Sequence, residues 1–240
     1  MKTIALIPAR YASTRFPAKL TMDLCGKSVI QRTYLSTVET GVFDKVMVVT
    51  DHELIVEQIT AVGGECFFSQ EEHESGSDRI AEAVRDMDVD IVVNIQGDEP
   101  FQDRKSLRDL VQVFESPFIR VASMMFSIPP EEAQNPNAVK VIYDKDNFAL
   151  YFSRARIPYS REKRWEVKYW KHVGIYAYRK EALLAFTKME KSYLEQVEML
   201  EQLRLLENGI RIKMIPTDHE AIAIDTPQDL QKAIAYFYDL

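Results

Sequence analysis

An apolar run at residues 4–7 passes directly into a polar loop, Pro8-Ala9-Arg10-Tyr11-Ala12-Ser13-Thr14-Arg15-Phe16-Pro17-Ala18-Lys19. A short apolar run closed by proline reads as a buried strand of an open α/β sheet, and in such sheets ligands bind beyond the carboxyl ends of the strands. The loop leaves the strand at that end. Two arginine forks and a lysine point charge match the oxygens of a polyphosphate, and backbone amides among small residues complete such a cradle. Neither G-x-G-x-x-G nor G-x-x-x-x-G-K-S/T occurs here, which disfavours dinucleotide binding and a P-loop NTPase. A solvated loop with incidental charge is the plainer alternative.

The remaining chain alternates strands with amphipathic helices: helix 28–39, strand 45–50, a helix capped by Asp51 and running to residue 62, strand 65–68, helix 77–85, strand 91–95 and helix 104–115. This alternation predicts a mostly parallel sheet flanked by helices. The texture then becomes strand-rich, with strands at 121–128, 138–143, 148–153 and 171–178, read as an antiparallel insertion over 121–178. Ser192 and Glu195 form a capping box for a helix to Asn208-Gly209, and Thr226-Pro227 opens the last helix. No repeat, low-complexity tract or linker interrupts the chain, so 1–240 reads as a single domain.

With 240 residues, 46% of them hydrophobic, the chain is long enough to bury a large core. The net charge of -7, spread without basic blocks, excludes nucleic acid as the partner and makes anion binding local. Cys25 and Cys66 lack metal-ligand or disulfide spacing and read as reduced structural residues. No secretory pattern and no apolar run of about 20 residues is present. The expectation is a soluble, cytoplasmic protein.

Four further constellations bear chemistry. Asn94-Ile95-Gln96-Gly97-Asp98-Glu99-Pro100 places a carboxylate at the end of an apolar strand, where one or two carboxylates plus substrate phosphates suit magnesium. A Gly-Asp turn is the alternative. Asp225, before Thr226-Pro227 at the end of an expected strand, is either capping chemistry or a second metal ligand. In His73-Glu74-Ser75-Gly76-Ser77-Asp78-Arg79, Ser75 and Arg79 at a helix N-terminus could meet a base or ribose, or Ser75 and Ser77 could simply cap.

The fourth constellation combines Arg154 and Arg156, expected on one strand face, with His172 and Tyr176 on another, and Glu195, Glu198 and Gln202 along one helix side beside Glu201. Taken singly these are a structural histidine and a solvated face. Together, a cation, an imidazole and polar acceptors suit an acidic polyol.

The motifs PARYASTRFPAK, HESGSDR, NIQGDEPF, NPNAVKV, ALYFSRARIP, KHVGIYAY, EMLEQLRLLENG and IDTPQDL resemble, in order and spacing along nearly the whole chain, the 3-deoxy-manno-octulosonate (Kdo) cytidylyltransferases. The resemblance implies a glycosyltransferase-A-like nucleotidyltransferase fold and a homodimer that uses part of the insertion. The implied reaction converts CTP and Kdo to CMP-Kdo and pyrophosphate for lipopolysaccharide synthesis. It assigns Arg10, Arg15 and Lys19 to the triphosphate, Ser75 and Arg79 to cytidine, and Asp98 and Asp225 to Mg2+. Gln96, Arg154, His172, Tyr176, Glu201 and Gln202 fall where the family contacts the sugar acid, Arg154 opposite its carboxylate; Arg156 is a weaker candidate. In-line attack by the anomeric hydroxyl on the α-phosphorus is implied, with no evident general base.

One departure stands out: the family commonly reads P-G-K-P where this chain has Pro17-Ala18-Lys19-Leu20. If that position needs positive φ, alanine costs about 1 kcal/mol there. Two rivals share the nucleotide half: a cytidylyltransferase for another acidic sugar, such as 8-amino-Kdo or a nonulosonate, and a non-catalytic nucleotide-sugar-binding module, which would be expected to lack the metal carboxylates.

Overall fold

Ile4, Ala5, Leu6 and Ile7 are at most 1% exposed, because strand β1 (Thr3–Ala9) is covered on both faces, as a central parallel strand must be. The computed structural model describes residues 1–11, 16, 18–162 and 166–239, and these fall into two units, 1–108 with 221–240, and 109–220. Arg15 lies outside the described residues.

In the first unit β1 pairs in parallel with β4 (Lys45–Thr50) on one side and β6 (Ile91–Asn94) on the other, and β4 pairs in parallel with β5 (Glu65–Phe68). A small hairpin, β2 (Asp23–Leu24) and β3 (Lys27–Ser28), precedes α1 (Val29–Glu39). Ser28 caps α1 by a capping box with Gln31, and its buried Val29, Ile30 and Tyr34 face the sheet side. Helix α2 is Glu53–Thr60, α3 is Gly76–Val84, and α8 is Pro227–Asp239. Asp51 does not cap α2 as expected. His52 holds the cap position without a side-chain bond, and Asp51 is drawn away to Arg79. Residues 221–225 also form no strand; the segment preceding α8 is irregular.

The second unit begins within α4 (Arg104–Gln112), which finishes in a 3-10 turn at Val113–Glu115. Strand β7 (Val121–Ile128) pairs in parallel with β11 (Ile212–Thr217) and antiparallel with β10 (Tyr169–Arg179), which bulges between Val173 and Tyr176. Strand β8 (Lys140–Tyr143) pairs antiparallel with β9 (Ala149–Ser153) and β10. The strand-rich insertion therefore sits inside a larger unit that adds β11 and α5 (Lys180–Phe186), neither legible from periodicity.

The helix expected over 192–208 is two helices, α6 (Tyr193–Glu198) and α7 (Gln202–Glu207). Met199 takes left-handed φ of 52° between them and ends the first. The single polar face expected from Glu195, Glu198 and Gln202 consequently does not exist. Glu195 forms a buried bidentate pair with Arg204, Glu198 accepts from Ser153, and Gln202 is 7% exposed. No helix among the described residues is long and apolar enough to cross a membrane.

Candidate functional site

In the first unit β4 and β5 lie to one side of β1 and β6 to the other, so the strand order switches direction at β1, the place where open α/β sheets form a crevice. A cleft of about 330 Å³ opens there. Its walls include Ala9 and Arg10 after β1, Lys19, Ser75 and Arg79, Gln96 to Asp98 after β6, and Asp225. The expected nucleotide residues that are described, Arg10, Lys19, Ser75 and Arg79, all line it, as does Gln96.

Each wall is positioned by local chemistry. Ile95 donates its N–H to the Leu6 carbonyl at 3.0 Å, extending the β1 ladder to the turn that carries Asp98. Gly97 suits the close packing of this turn: a Cβ would lie 3.1 Å from the Pro8 carbonyl oxygen and 3.2 Å from the Ile30 side chain. Buried Thr33 in α1 fixes the turn by donating to the Gly97 carbonyl at 2.9 Å. The Ile224 N–H then donates to the Asp98 carbonyl at 2.9 Å, which delivers Asp225 to the same corner.

Lys19 enters through a strained residue. Ala18 has φ 55° and ψ 22°, the left-handed region that favours glycine, so the departure noted in the sequence carries its expected backbone cost of about 1 kcal/mol. Thr21 donates through both N–H and Oγ1 to the Ala18 carbonyl, at 2.9 Å each, and Leu20 is 5% exposed, which together hold the turn. Lys19 Nζ contacts Asp98 Oδ2 and lies 2.9 Å from Asp225 Oδ1. Burial draws the Lys19 ammonium down, but the charges and hydrogen bonds of Asp98 and Asp225 outweigh it and hold its pKa above the ordinary value.

Two carboxylates thus converge on one cationic atom. No group of three or more His, Cys, Asp or Glu side chains converges among the described residues. A divalent cation that takes one or two carboxylates and completes its shell with phosphate and water fits this pair.

Arg79 is 6% exposed; its Nη2 donates to Asp51 Oδ2 at 2.7 Å, while its buried Nη1 has no hydrogen-bond partner. A buried unpaired N–H on a cleft-lining guanidinium is a costly donor awaiting an acceptor. Ser75 both lines the cleft and caps α3: its Oγ accepts from the Asp78 N–H at 3.2 Å. Sequence reasoning missed how the loop before Ser75 is held. Glu82 on α3 accepts from His73 Nε2 at 2.7 Å, from the Gln70 N–H at 3.0 Å and from Ser69 Oγ. Burial opposes ionisation of Glu82, yet these three donors hold its pKa below the usual value. A carboxylate one helical face behind an N-cap was the available signal.

In the second unit Arg154 lies just beyond β9, so it shares no strand face with Arg156 as expected. Its guanidinium donates to the carbonyls of Glu198, Pro136 and Met199, at 2.8, 3.1 and 3.2 Å. Arg156 turns to Tyr169, donating from Nε to its hydroxyl at 2.7 Å. His172 and Tyr176 do come together, ring centroids 5.1 Å apart, with Phe152 at 5.0 Å from His172. Burial pushes the His172 imidazole down to about 3. Burial, with the charges of Tyr178 and Glu201, raises the Tyr176 phenol well above its usual value. Both rings are therefore neutral near pH 7. Glu201 precedes α7 with Oε1 3.8 Å from Arg204, and Gln202 begins it.

Comparison with known proteins agrees with this architecture. A family model described as Cytidylyltransferase matches residues 4–212. A Flavobacterium johnsoniae protein named 3-deoxy-manno-octulosonate cytidylyltransferase is 56% identical, with 100% of both chains covered. One of the same name from Christiangramia forsetii is 51% identical over 97% of this chain and 95% of its own. Among solved structures, a CMP:2-keto-3-deoxy-manno-octonic acid synthetase complexed with CTP superposes with TM-score 0.95 at 38% identity, covering 100% of this chain and 99% of that one. A 4-diphosphocytidyl-2C-methyl-D-erythritol synthase from Anaerococcus prevotii, at 14% identity and TM-score 0.67, shares the fold. The mostly parallel sheet read from the strand pattern and the nucleotidyltransferase fold implied by the resemblance are thereby matched over the full chain, which belongs to the 3-deoxy-manno-octulosonate cytidylyltransferase family.

Proposed function

We propose that this chain transfers the CMP group of CTP to 3-deoxy-manno-octulosonate, giving CMP-Kdo and pyrophosphate. The observation that carries the reading is the convergence of Asp98 and Asp225 on Lys19 in a cleft that also presents the unpaired Nη1 of Arg79.

In this reading Arg10, Arg15 and Lys19 bind the triphosphate and stabilise the leaving pyrophosphate, while Ser75 and Arg79 hold the cytidine. Asp98 and Asp225 hold magnesium, whose chemistry when bound is Lewis-acid stabilisation of phosphate charge. Lys19 then exchanges its carboxylate partners for phosphate oxygens, so its charge is already stationed in the cleft before nucleotide arrives. The anomeric oxygen of the sugar forms a bond to the α-phosphorus, the bond from that phosphorus to the bridging oxygen breaks, and the hydroxyl proton is released to solvent. Gln96, Arg154, His172, Tyr176, Glu201 and Gln202 bind the sugar acid. The Arg154 guanidinium donates to the neutral carbonyls of Glu198, Pro136 and Met199, which leaves its charge able to offset a carboxylate. The segment 121–178 supplies several sugar contacts and a homodimer face, and the product serves lipopolysaccharide assembly in the cytoplasm.

Pyrophosphate release from CTP and magnesium tests the reading when Kdo, its 8-amino analogue and N-acetylneuraminate are compared, with Asp98→Ala as control. Kdo-dependent release lost in the variant is expected. Release with another sugar alone moves the substrate assignment, and release with none rejects catalysis.

A further inference from the structure

The bulge in β10 sets Val173 opposite Met124 and Tyr176 opposite Ser123, so Gly174 and Ile175 are the extra length at which the β7 register shifts. The carbonyls of Val173 and Ile175 instead meet one side chain, Ser123 of β7, whose Oγ lies 3.1 and 2.8 Å from them. Ser123 is 0% exposed. The same Oγ lies 2.9 Å from His172 Nε2.

A serine hydroxyl carries one hydrogen and two acceptor lone pairs, whereas a carbonyl only accepts. If that hydrogen went to the imidazole, two carbonyl oxygens would face the buried Oγ at these distances with no proton between them, which is repulsive. The hydroxyl hydrogen must therefore go to the carbonyls. The hydrogen of the Oγ to Nε2 contact then comes from the ring.

We propose that Ser123 is a positioning residue that fixes His172 as its Nε2–H tautomer and leaves Nδ1 as an acceptor for a hydroxyl of the sugar acid. The second half of this inference rests on the reading of His172 as a sugar contact. The surroundings agree: the ring's aromatic neighbours are Phe152 and Tyr176, and burial keeps the imidazole uncharged at neutral pH. His172 accordingly serves as a reader of a hydroxyl, and the sugar carboxylate needs its positive charge from elsewhere, as Arg154 provides.

The test is long-range proton–nitrogen correlation NMR on the full chain labelled with 15N-histidine. The chain has four histidines, and the His172 signals are those absent from His172→Gln. A single species protonated at Nε2 and not at Nδ1 is expected. In Ser123→Ala the ring should become a tautomer mixture, and the KM for Kdo should rise about three- to tenfold, the range of one uncharged hydrogen bond, with the KM for CTP unchanged. Ser123→Thr keeps the hydroxyl and should restore both, and the spectra themselves report whether each variant is folded. An Nδ1–H form in the unmodified protein, or an unchanged tautomer in Ser123→Ala, overturns the positioning role. A pinned tautomer combined with an unchanged Kdo KM in His172→Gln overturns the sugar contact and leaves the positioning intact.

Discussion

In the first unit the cleft keeps its charge available: Lys19 is held between two carboxylates and Arg79 retains a buried N–H with no acceptor. In the second unit the candidate sugar residues are mostly neutral: His172 and Tyr176 are uncharged near pH 7, and Arg154, held in place by three carbonyls, offers a single cation. The difference follows from the ligands proposed for each. A triphosphate brings a charge of about three to four that repays the cost of burying cations, whereas a polyol is recognised by neutral donors and acceptors and offers one carboxylate.

The contrast breaks most visibly at the carboxylates. Asp98→Ala should lower turnover about 10²- to 10³-fold in a pyrophosphate-release assay, the scale of losing one preorganised electrostatic group. Lys19→Ala should reduce turnover far more than Ala18→Gly changes it, and comparable effects would reject the phosphate role of Lys19.

A second contrast concerns acid. The His172 imidazole titrates near 3 in the folded chain against about 6.5 when unfolded. The folded state thus binds fewer protons between these values, so this residue's contribution is fully present above pH 6.5 and is lost as pH falls toward 3. Denaturant midpoints should show a loss of up to about 1.4 kcal/mol per pH unit in that window, removed in His172→Gln. An unchanged slope in the variant would place the acid sensitivity elsewhere.

The smallest effect sharpens the loop. Ala18→Gly should raise stability by about 1 kcal/mol, read as a higher melting temperature, because φ of 55° costs alanine and not glycine. Lower stability would mean that the greater backbone entropy glycine gives the unfolded chain outweighs the relieved strain.

The two halves also differed in how far the sequence revealed them. Strands β1, β4, β5 and β6 are short apolar runs bounded by Pro, Gly or Asp, and β4, β5 and β6 each follow an amphipathic helix, so period and punctuation agreed. Arg10 and Gln96 to Asp98 follow the ends of β1 and β6 and were legible for the same reason. In the second unit local signals misled. The apolar positions from Leu194 to Leu206 carry helical period, yet Met199 turns left-handed, a tertiary choice stabilised by the Glu195 to Arg204 pair across the break. Asp51 has the residue type of a cap, but the buried Arg79 guanidinium outcompetes a helix amide for it. The Ser123 contact with His172 joins residues 49 apart at a bulge, which no periodicity announces.

The division between a charged nucleotide cleft and a neutral sugar surface is tested most directly by measuring the KM values for CTP and for Kdo on Arg79→Lys and Gln202→Leu. The account predicts a crossed pattern: Arg79→Lys raises the KM for CTP about tenfold and leaves that for Kdo, and Gln202→Leu does the reverse. Equal shifts of both constants in both variants would contradict it.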